Sequence, residues 1–394
     1  MDFELSEDLK MVQSLARDFV RDQLKPLERD LLGRSADSKD AHGSLALETD
    51  RRLINTAKEV GLWGASVPEE FGGVGLGALA TCLVEEELAQ TIVPFNFGDV
   101  TPILFECNEQ QKQKYFLPAL DKEKAAYVAI VERSATHDVG AWYAMPLHGV
   151  GNSATTVRRD DGQYVLNGTK ISFSRPAVDY FAVVFAITGE RGATTCFLVD
   201  KGTRGFNMEG GSVSNGTRQP LRLVFDNCMV PRENVLGQEG KAFSLGAKWL
   251  PSRRIVRAAR VVGVAQRLLE EATARAQTWQ SFGQPAGQQI GIQGALAEIA
   301  ANIHSCRLMV YEAAWKADRG DNVRRAAAMV KLFAANMIHT VADSVAHIYG
   351  GPPYIAGLPM ERLCRDALAT SASELALDLQ RSIIARDILN GLKV

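Results

Sequence analysis

No two of the six cysteines stand at metal-binding or redox spacing: Cys82, Cys107, Cys196, Cys228, Cys306 and Cys364 are scattered singly along the chain. Without a C-x-x-C pair they read as reduced, mostly buried thiols, not as zinc ligands or a disulfide frame. His42, His148, His304 and His339 show no ligand spacing either, so no metal is expected. Neither sign of charge is in excess, since the formal net charge is −2 with both signs interspersed. That leaves no basic stripe for nucleic acid and no polybasic patch for an anionic membrane. No uncharged apolar run approaches the ~18 residues that span a bilayer. Internal repeats and low-complexity tracts are absent. The opening Met1-Asp-Phe-Glu-Leu-Ser-Glu-Asp8 is acidic where a secretory leader would be basic. These absences lead to the expectation of a cytoplasmic protein with no membrane insertion and no nucleic-acid partner.

What is present suffices for two or three cored domains: 394 residues, 46% apolar and 23% charged. Over 1–123, apolar residues recur at spacings of three and four in 2–29, 48–60, 79–89 and 110–120, which predicts an N-terminal helical domain. Gly73-Val-Gly75-Leu-Gly77-Ala78 nearly spells a dinucleotide fingerprint, but no strand precedes it, and that motif works only where a strand turns into a helix. Over 124–236 the segments become short, β-branched and aromatic. Asp161-Gly162 and Asn167-Gly168 read as tight turns bracketing a strand at 163–166, and 180–187, 194–199 and 221–225 read as further strands of an antiparallel domain. Over 237–394 helical periodicity returns in 252–282, 289–319, 323–348 and 371–389, lengths and period that suit an antiparallel four-helix bundle. The fold class is therefore α+β multidomain: N-terminal helical domain, middle antiparallel β domain, C-terminal four-helix bundle.

The candidate chemistry sits in 350–386, GGPPYIAGLPMERLCRDALATSASELALDLQRSIIAR. It reads as a loop leading into the final helix, with Glu374 on that helix's first turn beside Leu375, Leu379 and Ile383. Two readings of Glu374 stand together. A carboxylate where a loop meets a buried helix is a candidate base. Ser371-Ala-Ser-Glu374 also fits a capping box, in which the glutamate only satisfies a backbone N–H.

Gly350, Gly351, Pro359, Glu361, Arg362, Arg365, Asp366, Ala367, Glu374 and Arg381 match, in register and without a gap, the C-terminal signature of the acyl-CoA dehydrogenase family. The V-P-E-E-F-G-G stretch from Val67 and the Y-V-L-N-G-T-K stretch from Tyr164 are similar to further features of that family. The domain order resembles the acyl-CoA dehydrogenase fold over essentially the full length. The resemblance implies an FAD-dependent enzyme that dehydrogenates an acyl-CoA thioester, with Glu374 as base and an electron-transfer flavoprotein as electron acceptor. It implies flavin contacts at Val131, Ser174, Phe282, Gln293, His347, Gly350 and Gly351, and substrate contacts at His137 and Arg254. Taken singly, Phe282 reads as core, Gly283 as a helix C-cap, Arg254 as a solvated or ion-paired helix residue and His137 as a solvated loop residue.

The chain also departs from the family pattern. Leu375-Ala376 stands for Gly-Thr after the base, Val131 for a threonine, Arg133 for a proline, Ser172 for the tryptophan over the flavin ring and His347 for a glutamine. Trp279 stands where the family has an arginine on the FAD phosphate. A charge-assisted hydrogen bond contributes roughly 1.5–3 kcal/mol, so that loss implies FAD held about tenfold to a hundredfold more weakly, or substoichiometrically. Some bacterial sterol- and dicarboxylate-degrading members work as α2β2 assemblies in which one subunit lacks key residues. A degenerate subunit completing a sister chain's site is therefore the alternative reading.

Ala326-Ala-Ala-Met-Val-Lys-Leu-Phe-Ala-Ala-Asn-Met-Ile338 carries more apolar positions than one helix stripe needs. A homodimer, homotetramer or heterotetramer is expected, and light scattering that finds a monomer at micromolar concentration would contradict it.

Overall fold

The computed structural model of the chain describes residues 4–32, 45–130, 155–172, 179–188, 193–210, 221–355, 358–371 and 377–391. The chain divides into two compact units, one of residues 1–69, 73–97 and 251–394, the other of 70–72 and 98–250. Among the described residues no helix is long and apolar enough to cross a membrane.

The first unit is helical. Helix α1 is Glu7–Phe19, capped by Ser6, whose hydroxyl accepts the Leu9 N–H at 3.3 Å. Helices α2 (Leu47–Glu59) and α3 (Ala78–Leu88) follow. The long helix α4 (Ala242–Thr278) belongs to this unit from Pro251 onward, with α5 (Ile290–Asp318), α6 (Arg324–Tyr349), α7 (Pro359–Ser371) and α8 (Leu377–Leu389).

Helix α3 is enclosed along its length: every residue from Ala80 to Leu88 is buried, Glu85, Glu86 and Glu87 included. Each of the three carboxylates meets an arginine from a different helix. Glu85 pairs with Arg260 of α4, Glu86 with Arg307 of α5 at 2.8 Å, and Glu87 with Arg17 of α1 at 2.7 Å. At the start of α3 the Asp318 carboxylate accepts the N–H groups of Ala78 and Leu79, placing negative charge on the positive end of the helix dipole. Gly263 of α4 allows the closest approach, because a Cβ there would lie 2.0 Å from the Glu86 carbonyl oxygen.

The apolar run of 326–338 lies in α6, where Ala327, Ala328, Val330, Ala334, Ala335, Met337 and Ile338 are buried. Its several buried sides are met within the chain by α5, α7 and α8. That run does not by itself call for a second subunit.

The second unit is built on one eight-stranded sheet ordered β6-β7-β3-β2-β4-β5-β8, with β1 beside β4. The strands are β1 (Lys124–Ala129), β2 (Thr156–Asp160), β3 (Gln163–Ser172), β4 (Asp179–Ile187), β5 (Thr194–Asp200), β6 (Phe206–Gly210), β7 (Leu221–Pro231) and β8 (Val235–Leu236). The Phe181-Ala-Val-Val-Phe-Ala186 run of β4 is buried throughout, as an apolar run without alternation requires. The sheet is antiparallel except for two pairs: β1 and β2 each run parallel to β4.

Several sequence expectations change here. Asp161-Gly162 does turn, with φ of 42° and 78°, but Asn167-Gly168 does not. Strand β3 runs through that dipeptide to Ser172, and its register against β7 shifts between Leu166 and Gly168. Two β7 residues, Asp226 and Asn227, stand opposite Asn167 there; Asn227 has φ of 46° and its N–H donates to Asn167 Oδ1 at 2.9 Å, so the bulge lies on β7 and the dipeptide runs on as strand. The segment expected at 252–282 begins ten residues earlier and ends at Thr278. The stretch expected to be loop before Glu374 contains α7. Its signal was a stripe, Met360, Leu363, Cys364 and Ala367, all buried, with Arg365–Glu361 and Arg362–Asp366 pairs one turn apart, both at 2.7 Å.

Arg307 donates from Nε to Glu86, and Tyr311 donates to the same carboxylate at 3.1 Å. Burial nevertheless raises the Glu86 carboxyl above the ordinary range. Replacing Arg307 by methionine leaves a buried, uncompensated charge and should cost about 3 kcal/mol near pH 8. A carboxyl with a raised folded-state pKa binds its proton more readily folded than unfolded, so its contribution falls as pH rises through that window. The deficit of Arg307→Met should therefore shrink on going down to about pH 5. Urea unfolding of both proteins across that range checks this, and a deficit that does not vary with pH would assign the loss to packing.

Candidate functional site

Of the residues singled out from sequence, Glu374, Val131, His137 and Ser174 lie outside the described residues. Helix α7 ends at Ser371 and α8 begins at Leu377, on either side of Glu374. Ser172 ends β3, buried and paired with Leu221. Arg254 lies in α4 and is only 2% exposed, which rules out the solvated reading; an arginine is enclosed only where other groups meet its charge.

The remaining residues converge at one end of the helical unit. Helix α4 stops at Thr278, and the chain turns through a two-residue hairpin, β9 (Gln280–Ser281) against β10 (Gln284–Pro285). Phe282 and Gly283 form its tip with φ of 53° and 80°, both in the left-handed region that this turn demands. Phe282 is 97% exposed, so the expected core role fails, and Gly283 turns a hairpin where a helix cap was expected. The hairpin returns onto α4 through the Ala286 N–H, which donates to the Trp279 carbonyl at 2.8 Å. Gln293, in the first turn of α5, donates its amide to the Gly287 carbonyl at 2.9 Å. That bond holds the connection in place.

Helix α6 ends beside this connection. Tyr349 donates its hydroxyl to the Glu271 carbonyl at 3.0 Å, which ties the end of α6 to α4. Burial and the Glu271 carboxylate push the Tyr349 phenol up to about 12, against the opposing charge of Arg275. Gly350 ends α6 with φ of 75°, its N–H donating to Ala346, and Gly351 follows at φ −67°. His347, on the last turn, is exposed, with Nδ1 2.8 Å from the Asp343 carbonyl.

Between these two motif groups stands a residue that sequence reading missed, Arg275. Its guanidinium lies 3.6 Å over the Trp279 ring and 5.6 Å from the Tyr349 ring. Such contacts contribute roughly 0.5–2 kcal/mol each. The signal was an arginine one helical turn before the tryptophan, in the last turn of α4. Among the described residues no carboxylate pairs with Arg275. Its Nε is buried without an acceptor, as is Nε2 of Gln289, the residue before α5. Two enclosed donors without acceptors, beside exposed aromatic faces, suit an acceptor-rich group with a planar base. A flavin dinucleotide's adenosine diphosphate is such a group, so these residues fit it.

A cleft of about 490 Å³ opens elsewhere in the helical unit, walled by Arg17, Arg307, Tyr311, Glu86 and Glu87 among others. Its buried carboxylates are matched within the wall, Glu86 by Arg307 and Glu87 by Arg17, so it is an ion-paired packing seam.

Comparison with known proteins agrees with this architecture. The family profile described as acyl-CoA dehydrogenase, N-terminal domain matches residues 6–123, and that described as acyl-CoA dehydrogenase, C-terminal domain matches 243–389. An acyl-CoA dehydrogenase of Bacillus subtilis is 30% identical over 98% of this chain and 99% of its own length. The structure of butyryl-CoA dehydrogenase from Megasphaera elsdenii superposes with a TM-score of 0.80 at 29% identity, covering 99% of this chain and 100% of that one. The FAD complex of PigA superposes with a TM-score of 0.83 at 25% identity, covering 98% and 99%. By profiles over both helical regions and by full-length likeness, the chain belongs to the acyl-CoA dehydrogenase family, whose members are flavin oxidoreductases.

Proposed function

We propose that the chain is an FAD-dependent acyl-CoA dehydrogenase that oxidises an acyl-CoA thioester between Cα and Cβ. The observation that carries this is the C-terminal signature: Gly350 turning the chain out of α6, Pro359 opening α7, the Glu361–Arg365 and Arg362–Asp366 pairs on α7, then Glu374 at the family's spacing. In this reading Glu374 takes the proton from Cα as general base. FAD, when bound, supplies the acceptor for the hydride that leaves Cβ. Val131 and Ser174 would meet the flavin, while Phe282, Gln293, His347, Gly350 and Gly351 would meet its far end. His137 and Arg254 would meet the acyl-CoA. Electrons would pass on to an electron-transfer flavoprotein, in fatty acid or sterol catabolism.

A second reading is favoured by Trp279, which offers no charge to a phosphate and over which the Arg275 guanidinium lies. In it the chain is an FAD-poor subunit completing a sister chain's site in an α2β2 assembly. Phe282 at 97% and Ile290 at 85% exposure are apolar side chains that either a homo-oligomer or such a heterotetramer would cover.

Glu374→Gln keeps shape and hydrogen bonding but removes the proton acceptor, so turnover should fall by roughly 10²–10⁴. The melting temperature should barely move, because glutamine also serves a capping box. Full activity in this variant would return Glu374 to the capping role. The flavin-to-protein absorbance ratio of the purified chain separates the two readings. One tightly held FAD per chain favours the complete enzyme, and a colourless chain that gains FAD only with a sister subunit favours the second.

A further inference from the structure

We infer that Arg275, lying over Trp279, and Gln289, on the connection that follows, form this chain's contact with the adenosine diphosphate half of FAD. The inference rests on the flavin reading above and adds to the dinucleotide's far end two residues, Arg275 and Gln289, that the family signature does not mark.

The charge comes first. Arg17, Arg260, Arg267 and Arg307, which lie around α3 and α4, each have a carboxylate partner. Arg275 has none among the described residues, yet its Nε is buried. A guanidinium partly withdrawn from water without a counter-charge is stabilised by any anion that reaches it. A merely structural role, complementing the dipole at the end of α4, asks only for an exposed cation and does not account for an enclosed N–H without an acceptor.

The geometry selects the kind of anion. The guanidinium, centred 3.6 Å from the indole, is a planar fork of donors, the kind of group that holds two oxygens of one phosphate side by side. Gln289 adds a second enclosed donor on the same connection. Its N–H donates to Ala286 at 3.0 Å, and the Ala286 N–H donates to the Trp279 carbonyl. A diphosphate offers several acceptors to such a pair. Trp279 is half exposed and Phe282 almost wholly so, which leaves ring faces on which an adenine stacks. Position 279 carries no charge, but a cation placed one helical turn earlier, at 275, is drawn to the same end of α4 by the indole itself. The affinity for FAD that remains after loss of the arginine at 279 then runs through Arg275.

The test uses the full chain, freed of flavin by dialysis and titrated with three probes: FAD, ADP and riboflavin, which has no phosphate. Arg275→Ala should weaken FAD and ADP tenfold or more and leave riboflavin within about twofold, the loss expected of one charge-assisted phosphate contact. Gln289→Leu should move FAD in the same direction by less. Should Arg275→Ala not fold, Arg275→Gln keeps a planar group over the indole, removes the charge and carries the same expectation. FAD and riboflavin weakening together would mean that the arginine acts on the fold. No change in either would mean that it lies outside the site. Each of these overturns the inference and leaves the flavin reading standing. A wild-type chain that binds neither FAD nor riboflavin defeats the flavin reading, and the inference falls with it.

Discussion

Three consecutive buried glutamates in α3 fix the helical unit. Successive side chains on an α-helix point about 100° apart, so Glu85, Glu86 and Glu87 face three different sides. An enclosed carboxylate must have a partner, and each finds an arginine on a different helix: α4, α5 and α1. Buried ion pairs add little net stability over apolar packing, but breaking one costs several kcal/mol. A slip of any of these helices along α3 would bury two charges out of register. Gly263 tightens the same constraint, since α4 approaches α3 so closely that no side chain fits there. Asp318 tightens it again by tying the end of α5 to the first N–H groups of α3.

The two helices registered in this way, α4 and α5, carry Arg275 and Gln293 at their facing ends, and the connection between them carries Trp279, Phe282 and Gln289. The end of α6 is held to α4 there by the Tyr349 hydroxyl on the Glu271 carbonyl. Glu271 also receives Arg267, which reaches Glu28 and the Gln90 carbonyl, so the place where α6 docks is itself tied back to the N-terminal helices. The ligand contact proposed above draws on three separate segments and needs each held to a fraction of a hydrogen-bond length. Here rigid helices set the positions, and the short hairpin only carries the chain between them.

Much of this was legible in the sequence, and the failures have physical causes. Long helices announced themselves by period, and the β region by β-branched runs and turn dipeptides. Asn167-Gly168 misled because the pair that makes a two-residue turn can also run on within a strand, and only the partner strand decides; the bulge at Asn227 on β7 decided it. Helix α7 was hidden by the prolines and glycines around it, although its apolar stripe and two ion pairs were in plain view. Phe282 read as core because aromatic residues usually are, yet the turn it occupies places the ring in solvent. The motif residues of the site were found by position in the family pattern. Arg275 was not, because that pattern assigns the cation to position 279 and gives no reason to look one turn back.

That difference shows where the fold tolerates change. Losing a glutamate of α3 or the glycine that lets α4 approach it would disturb buried charge or close packing, and neither relaxes easily. Exchanging an arginine for tryptophan at position 279, where the side chain is half exposed, leaves no cavity and no orphaned charge. Substitutions away from buried features usually change stability by no more than about 0.5 kcal/mol. The rim of the proposed cofactor site can therefore change its chemistry one residue at a time while the scaffold persists. A cation one turn upstream can move onto the new indole and keep positive charge at the end of the bundle. Departures from the family signature at exposed positions are thus weak grounds for inferring loss of the cofactor, until the charges one helical turn to either side have been counted.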